Sequence, residues 1–144
     1  MVHIKDEGSL FEAPIDVVWK YHEDAATHAR AHTSTRNPSF KPVSPTVFVY
    51  TVERESRGQW TGESIQITVL QPLGFAFEWV SGPLTGSTMV YLYTPRGEKT
   101  QIDVVGEFVS STIPSGQLEQ HVRDWLQREF NEDAPAVRAL ARKT

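Results

Sequence analysis

The stretch FEAPIDVVWKY, residues 11–21, joins a predicted strand to a predicted helix and sets the course of the fold. Residues 2–12 can form a strand, and Pro14 suits the first position of a helix, because the N–H that proline lacks would have no partner there. The stretch therefore predicts a strand followed by an amphipathic helix over residues 14–24, and a second short helix is expected at residues 25–32. Apolar residues recur at helical spacing at Ile15, Val18 and Tyr21.

The residues after the two helices alternate between apolar and polar types, which is typical of strands. Turn signals that contain proline or glycine separate the alternating runs, for example at residues 72–74 and 95–97. Because short turns join nearly every pair of runs, we expect an antiparallel meander of about six strands. The alternating runs are found at residues 47–52, 65–69, 75–79, 89–93 and 102–108.

A long amphipathic helix is predicted to follow the last strand. Residues 113–116 end the sheet, and Ser115 is a suitable N-cap, since its hydroxyl can accept a hydrogen bond from a free backbone N–H of the first turn. Pro135 should bend or interrupt the helix, because it removes a hydrogen bond and clashes with the preceding turn. One apolar stripe runs along the helix, at Leu118, Val122, Trp125, Leu126 and Phe130.

This order of elements predicts an α+β domain in which helices cover the apolar face of one antiparallel sheet. A twisted sheet that curls around a single long helix encloses space, and the volume of the side chains decides whether that space is filled. A chain of 144 residues is long enough for one such domain, and no linker divides it.

Three stretches carry a resemblance to a known superfamily: residues 11–21, GPLTGSTMVYLYTPRGEKTQIDV at residues 82–104, and HVRDWLQREF at residues 121–130. With them the chain resembles the START/birch-pollen-allergen superfamily, also called SRPBCC, and its polyketide cyclase/dehydrase-like members. The resemblance implies one domain over residues 1–144 with the helix-grip order β-α-α-β6-α, in which a curved antiparallel sheet of about seven strands wraps around a long C-terminal helix and a deep pocket. The superfamily includes lipid-transfer proteins, polyketide cyclases and aromatases, hormone-binding proteins, chaperone activators and the catalytic domain of Rieske oxygenases, so the fold leaves the ligand open.

Aromatic side chains at inward-facing strand positions are the candidates for a binding site. They either fill the core or line a pocket for an apolar ligand, with tyrosine hydroxyls as polar tips. We expect a pocket that binds a small hydrophobic ligand such as a lipid, a polyketide, an isoprenoid or an aromatic molecule. The predicted ligand-binding residues are Phe77, Trp79, Tyr91, Tyr93, Phe108 and Trp125, together with His28 and His32.

The segment HEDAATHARAH, residues 22–32, holds three of the five histidines of the chain. Its simplest interpretation is structural: Asp24 caps the second helix, and His28 and His32 lie near the C-terminus of that helix, where positive charge is favourable. His22 is then expected to face solvent or to pair with a neighbour. The other two histidines could instead touch a ligand at the rim of the pocket.

A metal site is the alternative interpretation of this segment. Two histidines four residues apart on a helix can share one metal ion, but Asp24 lies about 12 Å of helical rise from His32, too far to share it. A carboxylate of the closing helix, such as Asp124 or Glu129, would have to complete the site. Rieske oxygenases of the same superfamily hold iron with two histidines and a carboxylate, which the pattern D-x3-H-x3-H loosely resembles. The spacing here is shorter and every cysteine of a Rieske domain is absent, so we expect no metal and no cofactor.

Composition excludes several other classes of function. The absence of cysteine rules out disulfides, thiolate metal sites and a cysteine nucleophile. A net charge of −4 and an isoelectric point of 5.7 give no electrostatic basis for nucleic-acid binding. Charges at residues 5–7 disfavour a secretory signal, and no apolar run approaches the ~20 residues that cross a bilayer, so we expect a cytoplasmic protein without an integral membrane segment.

A paired-carboxylate hydrolase is disfavoured because the strand acids are expected on the outer face, at Glu63, Glu78, Asp103 and Glu107.

The leading hypothesis is therefore a domain that binds or transports a small hydrophobic molecule. An enzyme of the aromatase/cyclase kind is the main alternative, with proton transfer by pocket groups such as His28, His32 or Tyr91. A metal-dependent enzyme and an interaction domain like the chaperone activators are further alternatives. The sequence assigns no catalytic residue, and it leaves open whether the chain forms a homodimer.

Overall fold

The structure is a computed structural model that describes residues 1–143, except for the side chains of residues 25–27. Its seven strands and three helices follow one another in the predicted order. One strand opens the chain, two short helices follow, six strands form a meander, and one long helix closes it. The elements are β1 Val2–Phe11, α1 Ile15–Glu23, α2 Ala25–Ala31, β2 Thr35–Ser44, β3 Val47–Ser56, β4 Gln59–Leu70, β5 Gly74–Ser81, β6 Thr88–Arg96, β7 Lys99–Phe108 and α3 Ser115–Lys143.

All seven strands belong to one antiparallel sheet, in the order β1-β7-β6-β5-β4-β3-β2. From β2 to β7 each strand pairs with the next strand along the chain, and β1 joins the free side of β7. The period-two alternation of apolar residues gives the sheet one apolar face, which must be covered. The curved sheet and the long terminal helix confirm the predicted α+β, helix-grip arrangement.

The helices α1 and α3 cover the apolar face and contact each other. Burying the apolar residues of each helix against the sheet contributes far more to helix stability than intrinsic helix propensity does. Within residues 1–143, no helix is long and apolar enough to cross a membrane. The buried residues of α3 are Leu118, Val122, Trp125, Leu126, Asp133 and Val137, and those of α1 are Val17, Val18, Trp19 and Tyr21.

Two details of α3 differ from the prediction. Of the predicted bend or interruption at Pro135, the interruption does not occur, because the helix continues through Pro135 to Lys143. Val137, two residues after the proline, is fully buried. Packing of this kind offsets the loss of the hydrogen bond that a proline removes. Ser115 is the first helical residue and not the N-cap.

Both edge strands of the sheet are irregular. In β1, Gly8 has a φ angle of +85°, and the pairing with β7 shifts register between Asp6 and Ser9. In β2, Pro38 and Pro42 lie beside the register shifts in the pairing with β3. Prolines and bulges are found at sheet edges because those positions do not require an unbroken ladder of backbone hydrogen bonds.

Candidate functional site

A cavity of about 400 Å³ lies between the sheet and the three helices. Strands β2 to β6 supply most of an apolar and aromatic wall, to which α1 and α3 each add a tryptophan, and most of the polar groups lie on or next to the three helices. The apolar wall includes Trp19, Phe40, Phe48, Tyr50, Ile65, Ile67, Val69, Phe75, Phe77, Met89, Tyr91, Tyr93 and Trp125, and the polar groups are His22, His28, His32, Arg54, Glu129 and Asp133.

Six of the eight predicted ligand-binding residues line this cavity: Phe77, Tyr91, Tyr93, Trp125, His28 and His32. The other two, Trp79 and Phe108, lie in the packed core and not on the cavity wall, which corrects their predicted place. The two rings pack edge to face at 5.5 Å, and Trp79 also packs against Trp125 of α3 at 5.7 Å. They share the inward face of the sheet with the cavity residues, but α3 packs directly on Trp79, and Trp79 packs on Phe108.

The polar side of the cavity centres on His28, His32 and Asp133. The Nε2 atoms of the two histidines are 3.1 Å apart, and each lies near Asp133 Oδ1, at 3.2 Å from His28 and 3.1 Å from His32. The other ring nitrogen of His32, Nδ1, contacts Glu129 Oε2 at 2.9 Å and Glu132 Oε1 at 3.1 Å. His28 of α2 and His32, which directly follows α2, therefore meet three carboxylates from one stretch of α3.

These contacts control the charges of the groups. Burial alone would lower the pKa of His32, but its hydrogen bonds to Asp133 and Glu129 outweigh burial and raise that pKa to about 11. Burial acts in the opposite direction on Asp133, and the hydrogen bonds from His28 and His32 hold the pKa of this carboxyl well below its usual range. The carboxylate is therefore ionised at neutral pH, in a place that is largely removed from water.

His28 and His32 lie near the C-terminus of α2, as the structural interpretation predicts, but their side chains face α3 and the cavity. Asp124, named as a candidate third ligand, is exposed and accepts a hydrogen bond from Gln120. Asp133 and Glu132 were not foreseen. A signal for Asp133 was present, since Trp125, Glu129 and Asp133 follow one another at four-residue spacing and thus share the inward face of α3.

His22 is also part of the cavity wall; of the two predicted alternatives, exposure to solvent and pairing with a neighbour, the structure shows a pairing, with Tyr93. It follows Trp19 by three residues on α1, so both side chains lie on the same face of the helix. Its Nε2 and the hydroxyl of Tyr93 share a hydrogen bond of 2.9 Å, and the ring is enclosed by aromatic neighbours, among them Phe75. Burial and the nearby His28 lower the pKa of His22 to about 3, so its imidazole is neutral at pH 7.

A buried ion-pair network borders the cavity and shares Glu129 with its polar side. Arg54 donates to Glu63 at 2.5 Å and to Glu129 at 2.8 Å, and its guanidinium lies 5.3 Å from the ring of Trp125. Glu63 is buried, which contradicts its predicted place on the outer face. The residue precedes Ile65 by two positions and therefore points to the same side of β4. Hydrogen bonds from Arg54 and from the indole N–H of Trp79 compensate its burial.

No protein-family model and no curated protein matches this sequence. Solved structures do match in shape. The Zhui aromatase/cyclase from Streptomyces sp. R1128 superposes with a TM-score of 0.76 at 14% identity, over 99% of this chain and 94% of that one. The protein Ara h 8.0201 gives 0.73 at 14% identity, over 96% and 98% of the two chains, and a START superfamily protein from Mycobacterium smegmatis gives 0.76 at 12% identity, over 96% and 98%. The chain therefore has the helix-grip fold of the START/birch-pollen-allergen superfamily.

Proposed function

We propose that this protein binds a small, mostly apolar molecule, such as a polyketide, an isoprenoid, a lipid or an aromatic compound, in its internal cavity. The cavity itself carries the proposal. Its volume of about 400 Å³ falls within the roughly 300 to 1,000 Å³ of small-molecule sites, which are apolar with a few polar groups that fix orientation. The polar end of the ligand would face His28, His32 and Asp133.

The aromatic wall favours a ligand with flat or conjugated parts. Phe75, Phe77 and Tyr91 present rings to the cavity in tilted and edge-on arrangements, and such rings attract other π-systems in offset or edge-to-face geometry. Phe40, which is 45% exposed, also borders the cavity and stacks on Tyr50 at 5.0 Å. The ligand would enter at this point, where the wall meets solvent.

The proposal is tested by titrating the purified protein with the fluorescent probe N-phenyl-1-naphthylamine. Ile67→Trp would fill part of the cavity and is expected to weaken probe binding at least about tenfold, since a lost apolar contact area of this size is worth 1 to 3 kcal/mol. Thr68→Trp, on the opposite face of the same strand, is the matched control and should bind the probe as the unchanged protein does. Equal binding by all three proteins would refute an internal site. As a separate experiment, native mass spectrometry of protein purified from its own host would give the mass of any retained ligand.

An enzyme of the aromatase/cyclase kind is the second candidate, and the pair His22 and Tyr93 favours it. A neutral imidazole hydrogen-bonded to a phenol in an apolar cavity can take a proton from carbon and return one to oxygen. The Zhui structure, whose fold is shared, is described as an aromatase/cyclase. With a poly-β-ketone thioester as substrate, Tyr93→Phe should abolish cyclisation and leave probe binding within about twofold. Replacing both His28 and His32 by alanine gives the corresponding test for the other polar groups. Unchanged turnover in these variants would refute the catalytic role of these groups, and absence of turnover by the unchanged protein would leave only the binding role.

A further inference from the structure

The contact between His28, His32 and Asp133 has a geometry that hydrogen bonds alone do not satisfy. The three facing atoms form a nearly equilateral triangle with sides of 3.1, 3.1 and 3.2 Å. An ionised carboxylate has no hydrogen to offer and each Nε2 has at most one, so two of the three sides at most can be hydrogen bonds. A cation between the three atoms would meet a lone pair from each.

The size of the triangle fits a metal ion. An ion about 2.1 Å from each donor atom holds neighbouring donors about 3.0 Å apart in an octahedron and about 3.4 Å apart in a tetrahedron. The measured sides lie between these two values. Two imidazole nitrogens and one carboxylate oxygen suit a first-row transition ion, whereas Mg²⁺ and Ca²⁺ prefer oxygen alone.

The groups behind the triangle hold its members in the orientation that metal binding requires. His32 Nδ1 donates to the carboxylates of Glu129 and Glu132, so an ion in the triangle would displace the proton of Nε2 and bind the lone pair of that nitrogen. The hydroxyl of Tyr21 donates to Asp133 Oδ1 at 2.7 Å and fixes that oxygen. Carboxylates behind ligating histidines, and donors behind ligating carboxylates, are the usual surroundings of protein metal sites.

The charge of the region also favours a cation. Asp133, Glu129 and Glu132 are at most 14% exposed, and the charges described as compensating them are the imidazolium of His32 and the guanidinium of Arg54. Arg54 also pairs with Glu63, so these two cations face four carboxylates. Placing several carboxylates in a region of low dielectric is unfavourable unless positive charge compensates them.

From these four observations we propose that His28, His32 and Asp133 bind one divalent ion of the first transition row, such as Zn²⁺, Fe²⁺ or Co²⁺, with its remaining coordination positions open to the cavity. Three protein ligands leave such an ion able to accept an oxygen or nitrogen atom from a molecule in the cavity. The binding of a cavity molecule to the ion rests on the proposed function, whereas the binding of the ion to the protein does not rest on it.

Cobalt is the probe for the test, because Co²⁺ in a site of nitrogen and oxygen ligands gives visible absorption bands. Protein without a histidine tag is freed of metal with a chelator and titrated with Co²⁺ in the absence of any organic ligand. We expect saturation at one equivalent, and a loss of affinity of about 100-fold or more in His28→Ala and in Asp133→Asn. Tyr21→Phe should lower affinity about 10- to 100-fold by releasing Asp133.

His121→Ala and Asp124→Asn are the matched controls, as they remove a histidine and an aspartate of α3 that lie outside the triangle. Both should keep the affinity of the unchanged protein. Circular dichroism shows whether each variant is folded, and His28→Ala decides the matter if Asp133→Asn is not, because the His28 side chain is 31% exposed and replaceable. Absence of stoichiometric Co²⁺ binding, or binding that survives both ligand substitutions, would overturn the proposal and leave a hydrogen-bonded network. Neither result changes the dye-binding test of the cavity.

Discussion

The replacement Arg54→Met should destabilise the fold strongly. Arg54 is the common partner of Glu63 and Glu129, and all three side chains are at most 15% exposed. Methionine retains most of the apolar stem but leaves two carboxylates without their cation. Breaking a buried ion pair by removing one partner costs about 3 to 5 kcal/mol, so we expect the free energy of unfolding to fall by about 4 kcal/mol. For a domain of this size that corresponds to a melting temperature lower by about 12 °C.

Thermal unfolding followed by circular dichroism at pH 7 measures this loss. Arg36→Met is the matched control, since Arg36 pairs with Glu53 at the surface, where ion pairs contribute about 0 to 1 kcal/mol. In Arg54→Met, the added changes Glu63→Gln and Glu129→Gln remove the unpaired charges and should recover at least half of the lost stability. A loss below about 1 kcal/mol, or no recovery in the triple variant, would refute the assignment of Arg54 as the compensating charge.

The same variant should respond to pH in a definite direction. Burial would raise the pKa of Glu129, but the hydrogen bond from His32 and the charge of Arg54 outweigh it and hold the pKa below its usual value. A carboxyl group of this kind stabilises the fold above its ordinary pKa, and that contribution is lost as the pH falls through the folded-state value. Without Arg54 much of the contribution is already missing. The difference in melting temperature between the two proteins should therefore shrink only as the pH falls below about 4.5, the ordinary pKa of a glutamate.

Three further predictions follow from other parts of the structure. Phe108→Ala should lower the free energy of unfolding by about 3 to 5 kcal/mol in urea titrations, because Phe108 is fully buried. Phe77 already borders the cavity, so Phe77→Ala should lower the free energy of unfolding by no more than about 2 kcal/mol. Gly74→Ala should abolish folding or lower stability by more than about 3 kcal/mol, because a Cβ there would lie 1.8 Å from a carbonyl oxygen of β6; Gly58→Ala, in an open turn, should lower it by about 1 kcal/mol. Burial raises the pKa of all four tyrosines, that of Tyr50 to about 12, so stability should decline as the pH rises above 10, and absorbance should show tyrosine ionisation only together with unfolding.

The order of elements could be predicted from the sequence because it depends on local patterns. The position of Pro14, the alternation after the second helix and the apolar stripe that contains Trp125 each specify one element without knowledge of the others. The seven-stranded sheet then follows from the short turns. Continuation of α3 through Pro135 could not be predicted, since it depends on where Val137 is buried by the rest of the fold.

The candidate site could be predicted only in part, because long-range contacts create it. His32 and Glu132 are 100 residues apart in the sequence, and only the docking of α2 on α3 brings them together. Hydropathy assigns a carboxylate to the surface, so the burial of Asp133 was missed although its spacing from Trp125 placed it on the inward stripe. Likewise, the distance between α3 and the sheet decides that Trp79 fills the core while Phe77 borders empty space, and no property of either side chain encodes that distance.

The irregular edges of the sheet have a consequence for the behaviour of the protein at high concentration. A regular outer strand offers unpaired donors and acceptors to any other extended chain, which is how many β-proteins grow into fibres. One edge strand contains Pro38 and Pro42, which have no N–H to donate, and the other has a register shift at Gly8. A second molecule could therefore form only a few consecutive backbone hydrogen bonds at either edge strand before it meets an interruption. This irregularity disfavours edge-to-edge polymerisation of the protein.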